Sequence, residues 1–162
     1  RSEAIKKLVN YASQKLKRTF DIMYCINSFY AFPDKITALK SLRRLASEKT
    51  QLIIFDYVLR QGTAAAVEEG VPTNVSEQQL RSLLESTGWT VMDTMDVSSD
   101  YDRWYSELVL RIHSKKEQIT KQFGADWFEY VVKTYSNILT AIRAGRLGGV
   151  IVTVFPQSIS RS

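Results

Sequence analysis

With 162 residues, 44% of them hydrophobic and 24% charged, the chain has the make-up of one soluble globular domain that needs no disulfide staples. A single cysteine excludes an internal disulfide, no apolar run reaches the length of a membrane span, and no signal peptide is recognisable, so a cytoplasmic setting is expected. The net charge of +5 is scattered over helical faces among Glu and Asp, with no zinc spacing, RNA-binding aromatic motif or glycine clamp, so no nucleic-acid partner is expected.

Residues 2–16 begin with Ser2, a suitable helix cap, and set Ile5, Leu8, Val9, Ala12 and Leu16 on one stripe, which predicts an amphipathic helix. The apolar run Ile22-Met23-Tyr24-Cys25-Ile26 is short enough for a strand buried on both faces, and a turn over residues 27–34 follows it. Over residues 34–47, Ile36, Leu39, Leu42 and Leu45 recur every third position along one side of a predicted helix. Leu52-Ile53-Ile54-Phe55 is a second continuous apolar run and closes on Asp56-Tyr57. Strand, helix, strand, with neither strand alternating, predicts a parallel βαβ unit covered on both sides. Open α/β sheets bind ligands at the carboxyl ends of such strands.

Gly62, Ala64, Gly70 and Pro72 predict a loop. Ser76 and Gln79 have capping-box spacing, and Leu80, Leu83 and Leu84 make the apolar face of the helix they open. Gly88 stops that helix, and residues 89–97 alternate like a strand at a sheet edge. Residues 101–123 then read as a helix with Trp104, Leu108, Ile112 and Ile119 inward. Asp126 is placed to cap a second helix, running to Ala144 and carrying Trp127, Tyr130, Val131, Tyr135, Ile138 and Ile142. Gly145, Gly148 and Gly149 break it, residues 150–155 form a last buried strand, and Pro156 ends that strand. The pattern is α/β, with a two-helix block rich in Trp and Tyr between the final two strands. The lone Cys25 reads as a small buried apolar residue and His113 as a solvated helix residue.

Three pieces taken in order, FDIMYCINSFYAFPD, the helix ending LRRLAS, and QLIIFDY, resemble the second half of the class I S-adenosylmethionine-dependent methyltransferases. GWTVMDTMDVS and GGVIVTVF are similar to that family's sixth and seventh strands, the seventh antiparallel and slipped between the fifth and sixth. The helical insertion between them resembles methyltransferases of small metabolites, with the sarcosine and dimethylglycine N-methyltransferases nearest. The resemblance covers residues 20–155. It implies a Rossmann-like sheet, mostly parallel with an antiparallel last strand, in one domain over residues 1–162, with a helical lid at residues 99–145. Two departures stand out. The Gly-rich cofactor turn and the acidic residue that follows it are missing, which implies a partial chain that lacks an N-terminal piece and a stretch near residue 17, with a truncated, inactive relative as the alternative. Tyr30-Ala31 stands where the family often has a His pair.

The resemblance implies an S-adenosylmethionine-dependent methyltransferase acting on a small-molecule methyl acceptor. Cys25, Ile26 and Asn27 would line the methionyl end of the cofactor, and Tyr30 and Asn27 would be the catalytic candidates. Asp56, Tyr57, Tyr101, Arg103 and Trp104 would face substrate, with Arg103 free to pair a carboxylate and the rings free to hold a methylated ammonium. No metal is implied. Each assignment has a plainer alternative: a turn-forming Asn27, a Tyr30 that merely covers its loop, an Asp56 that caps or salt-bridges, and rings that pack one helix on another. Two other functions stay open, a non-catalytic binding module of the same fold and a nicotinamide-dependent Rossmann enzyme, the latter requiring parallel strands to the end.

Overall fold

A computed structural model describes residues 19–60 and 75–158; the predicted helix at 2–16 and the predicted loop at 62–72 lie outside the described residues. In chain order the elements are β1 (Phe20–Ile26), a short 3-10 turn (Phe29–Ala31), α1 (Lys35–Arg44), β2 (Ala46–Leu59), α2 (Glu77–Ser86), β3 (Trp89–Asp96), α3 (Ser98–Ser114), α4 (Lys116–Phe123), α5 (Ala125–Arg143) and β4 (Leu147–Pro156).

The four strands form one sheet in the order β1-β2-β4-β3. β1 and β2 pair in parallel, with Met23 opposite Leu52 and Cys25 opposite Ile54. β4 runs against both of its neighbours. At its start, the Arg60 N–H beyond β2 donates to the Arg146 carbonyl and the Val97 N–H beyond β3 donates to the Gly149 carbonyl, each at 2.9 Å. At its far end, the Gln157 N–H donates to the Gly88 carbonyl ahead of β3, also at 2.9 Å. The last strand is therefore reversed and lies beside the strand that carries Asp56, while β3 takes the edge its alternation predicts. The expectation of a mostly parallel sheet fails, because a reversed strand in an interior position makes both of its own pairings antiparallel. A reversed final strand is also incompatible with the all-parallel sheet that the nicotinamide alternative requires.

The chain divides into two compact units, one built from β1, α1, β2 up to Asp56, α2, β3 up to Met95 and β4 from Val150, the other from the rest of β2, α3, α4, α5 and the start of β4. In the unit containing β1, Asp34 accepts the Thr37 N–H at 2.9 Å and so starts α1, one turn earlier in the chain than the buried Leu39. Leu39, Leu52, Ile54, Leu80, Leu84 and Trp89 form its core, and the Trp89 indole N–H donates to the Leu39 carbonyl at 3.3 Å. The predicted coverage of β1 on both faces is corrected. Met23 and Cys25 are buried, whereas Ile22, Tyr24 and Ile26, which point to the opposite face, are exposed at 61%, 70% and 55%, so only one face of β1 is covered. β2 starts well before the apolar run because its polar beginning bulges against Phe20. The Thr50 hydroxyl, itself buried, donates to the Phe20 carbonyl and accepts the Ser47 N–H.

The second unit holds a helical block of three helices rather than the predicted two. α3 packs on α5, and α4 on α5. The break falls at Lys115, whose N–H turns back to the Ile112 carbonyl at 3.1 Å. Gly124, at φ 94°, occupies the cap position of α5, and Asp126 lies within the first turn instead of capping it. Trp104, expected inward, is 42% exposed. Gly148 and Gly149 lie inside β4 rather than ahead of it. A Cβ on Gly149 would run into the Tyr101 ring, and one on Gly148 into the Arg60 and Ser98 side chains. These glycines mark close approach of side chains to a strand, a use of Gly that reads in sequence like a breaker.

Candidate functional site

At the carboxyl end of β1 the chain is pinned by one buried side chain. Ile26 ends the ladder opposite Phe55, and the Asn27 N–H extends it to the Phe55 carbonyl at 2.8 Å. Asn27 then takes φ 44°, a left-handed conformation that Asn tolerates better than most residues. That bend turns the next three amides toward β2. The N–H groups of Ser28, Phe29 and Tyr30 all donate to Oδ2 of Asp56, at 2.9, 2.6 and 3.2 Å. Asp56 is fully buried, so a converging set of donors is what makes a carboxylate tolerable there. The Lys35 ammonium closes the far side of the turn, donating to the carbonyls of Tyr30 (3.2 Å) and Phe32 (3.1 Å) and lying 5.6 Å from the centre of the Phe29 ring. Burial holds the Lys35 ammonium below the usual lysine range, against the opposing pull of the Asp56 charge.

Beside this turn sits Cys25. Its thiol is pushed up to about 11 by burial and, secondarily, by the negative charge of Asp56, so it stays protonated at neutral pH. Ile26 and Asn27 are exposed at the strand mouth, while Tyr30 is half-buried on the 3-10 turn. The structure therefore brings Cys25, Asn27, Tyr30 and Asp56 into one pinned loop, with Asp56 engaged by the loop's own amides.

The remaining candidates lie in the second unit. Tyr57 follows Asp56 on β2 and is buried, as is Tyr101 on α3. Their rings meet edge-on at 5.2 Å, and Tyr101 contacts Trp104 at 5.8 Å and Tyr105 at 5.9 Å. Tyr105 stacks on Tyr135 of α5 at 6.1 Å, and its hydroxyl is hydrogen-bonded to that of Tyr57. This column of rings joins a strand end to two helices and leaves Trp104 partly exposed. Arg103 points outward and pairs with Asp100 at 2.7 Å, so it stands apart from the rings.

The sequence reading missed a polar junction in the same unit. Arg60, just past β2, pairs with Asp96 at the end of β3 (2.6 Å) and donates to the Ser98 hydroxyl (3.0 Å), which also accepts the Gly149 N–H (3.2 Å). Burial works against the Asp96 charge, but hydrogen bonds from Ser98 and the Arg60 guanidinium outweigh it and hold the carboxyl below the usual range. The adjacent glycines were the available signal, since Gly148 makes room for Arg60 and Ser98. Among the described residues no three metal-ligating side chains cluster, and no helix is long and apolar enough to cross a membrane.

No protein-family model and no curated protein sequence matches the chain. Solved structures do. A protein of Galdieria sulphuraria assigned to the sarcosine dimethylglycine methyltransferases superposes with a TM-score of 0.80 at 15% identity, covering 88% of this chain and 55% of that one. The fold is that of the C-terminal portion of small-molecule S-adenosylmethionine-dependent methyltransferases. Phosphoethanolamine N-methyltransferase 2 of Haemonchus contortus, solved with phosphomonomethylethanolamine and S-adenosylhomocysteine, gives a TM-score of 0.75 at 15% identity over 86% of this chain and 34% of its own. A cyclopropane synthase of Mycobacterium tuberculosis gives 0.75 at 11% identity over 88% and 57%. The chain thus spans between about a third and three-fifths of these methyltransferases' length.

Proposed function

We propose that the chain forms the acceptor-side part of an S-adenosylmethionine-dependent methyltransferase of a small molecule. The observation that carries this reading is the reversed β4 between β2 and β3, with a pinned loop at the mouth of parallel β1, in a chain whose fold matches that family. The donor supplies an electrophilic methyl group on a sulfonium, and the protein's part is alignment and exclusion of water. Cys25, Ile26 and Asn27 fit the methionyl end. The strand mouth is open at Ile26 and Asn27, and a neutral Cys25 thiol does not compete as a nucleophile. Asn27 offers its amide and Tyr30 its hydroxyl to the acceptor, and Asp56 fixes the loop that carries both. Within the second unit, the ring of Tyr57 on β2 and those of Tyr101 and Trp104, in the helical block spanning residues 99–145, would face a methylated ammonium. Each such contact contributes about 0.5–2 kcal/mol, and Arg103 would serve a carboxylate at the rim.

Transfer of radiolabelled methyl from S-adenosylmethionine to a panel of small amines, sarcosine and phosphoethanolamine among them, tests the reading. Incorporation that is lost in Tyr30→Phe and Asn27→Ala supports it, and incorporation unaffected by either removes the loop assignments. In a second reading the chain belongs to a non-catalytic module of the same fold that uses its aromatic column to bind a partner; absence of S-adenosylhomocysteine binding by the full-length protein would select that reading.

A further inference from the structure

Away from the β1 mouth, the exposed side of α1 carries a recess of about 470 Å³ lined by Thr37, Lys40, Arg43, Arg44 and Thr87. Its volume falls within the range of small-ligand pockets. Three of the five lining residues are cationic, and no described acidic side chain lines it. Lys40, Arg43 and Arg44 have no ion-pair partner among the described residues. Thr37, Lys40 and Arg44 fall at spacings of three and four along α1 and so share one face of that helix. Arg43 is fixed rather than free, since its Nε–H donates to the Gly88 carbonyl at 2.9 Å and its terminal nitrogen to the Gln157 carbonyl at 3.3 Å. Arg44 donates to the Ser41 hydroxyl at 3.1 Å. Basic residues in the last turn of a helix complement its dipole, which accounts for Arg43 and Arg44 individually. It does not account for Lys40 and a concave surface with no opposing carboxylate.

We infer that this recess is a binding site for a phosphorylated small molecule, whose phosphate oxygens are held by Lys40, Arg43 and Arg44 with the Thr37 hydroxyl at the rim. Two guanidiniums and an ammonium without an acid between them suit a ligand of two or more negative charges, and a guanidinium already held by two carbonyls loses little freedom on binding. The site shares no residue with the proposed methyl-transfer loop, so it stands or falls separately.

Isothermal titration of the chain with inorganic pyrophosphate at low ionic strength tests it, alongside the double variant Lys40→Gln/Arg44→Gln. Both positions are exposed, and circular dichroism melting checks that the variant keeps its fold. One-to-one binding that weakens about tenfold or more in the double variant is the expected result; Arg43 is left intact because it also holds Gly88 and Gln157. Absent pyrophosphate binding, or equal affinity in the double variant, overturns the site. So does a short single-stranded oligonucleotide that binds with a steep salt dependence while pyrophosphate does not, since the recess would then be part of a nucleic-acid surface.

Discussion

Replacing Asp56 by Ala removes the acceptor of three converging backbone amides. Of the three, the Phe29 N–H is buried and makes the shortest bond, 2.6 Å, while the Ser28 and Tyr30 amides are part-buried and can reach water once the turn loosens. A buried donor stripped of a charged acceptor costs about 1.5–3 kcal/mol, and each part-buried one about 0.5–1 kcal/mol. Asp56→Ala is therefore expected to destabilise by about 2.5–5 kcal/mol. For a chain of this size that lowers the melting temperature by roughly 5–20 °C. Asp56→Asn keeps one acceptor oxygen and loses the charge, so about half that effect is expected. Urea unfolding gives the global value, and amide exchange at residues 28–30 gives the local one. In Asp56→Ala the Phe29 amide should lose most of its protection while Leu52 and Ile54 in β2 keep theirs. A shift below about 0.5 kcal/mol, with Phe29 protection unchanged, would refute the claim that this carboxylate pins the loop.

Gly149→Ala should destabilise by about 1–3 kcal/mol because its Cβ meets the Tyr101 ring, whereas Gly148→Ala meets movable ends of Arg60 and Ser98 and should cost less; thermal melting of the two variants side by side checks the order. Tyr57→Phe and Tyr105→Phe, combined in a double-mutant cycle, should show a coupling of about 0.5–1.5 kcal/mol for the hydroxyl pair, and additivity within error would mean the two hydroxyls do not interact. Cys25 should be inert to a disulfide-exchange reagent at pH 8 until the protein unfolds, since its folded value is raised to about 11. Because that value is raised, the contribution of Cys25 to stability is fully present below its unfolded value of about 8.5. It is lost as pH rises through about 11; rapid native-state labelling at pH 8 would contradict this.

Much of this architecture is legible in residue patterns. Residues 22–26 and 52–55 announce strands because short continuous apolar runs between turn signals have few other uses, and Leu80, Leu83 and Leu84 announce α2 by helical spacing. The alternation in residues 89–97 gives the edge position of β3. What escaped the sequence depends on contacts distant along the chain. Gly148 and Gly149 look like breakers, yet they belong to β4 because Arg60, Ser98 and Tyr101 press against them. The break at Lys115 carries neither Gly nor Pro, so periodicity runs across it. Asp56 could be read as ligand or as cap, and only its distance to the three amides decides what it touches. Trp104 keeps helical phase with Leu108 but sits at the border of the ring column, where one more turn of phase cannot tell half-covered from covered.

The most direct measurement is an NMR titration of the labelled full-length protein with S-adenosylhomocysteine, followed at the backbone amides of Cys25, Ile26 and Asn27. A methyl-donor site at the β1 mouth predicts saturable shifts centred on those three amides, with Asn27→Ala weakening them. Shifts confined to other parts of the chain, or none up to the solubility limit of the nucleoside, would contradict a donor site there.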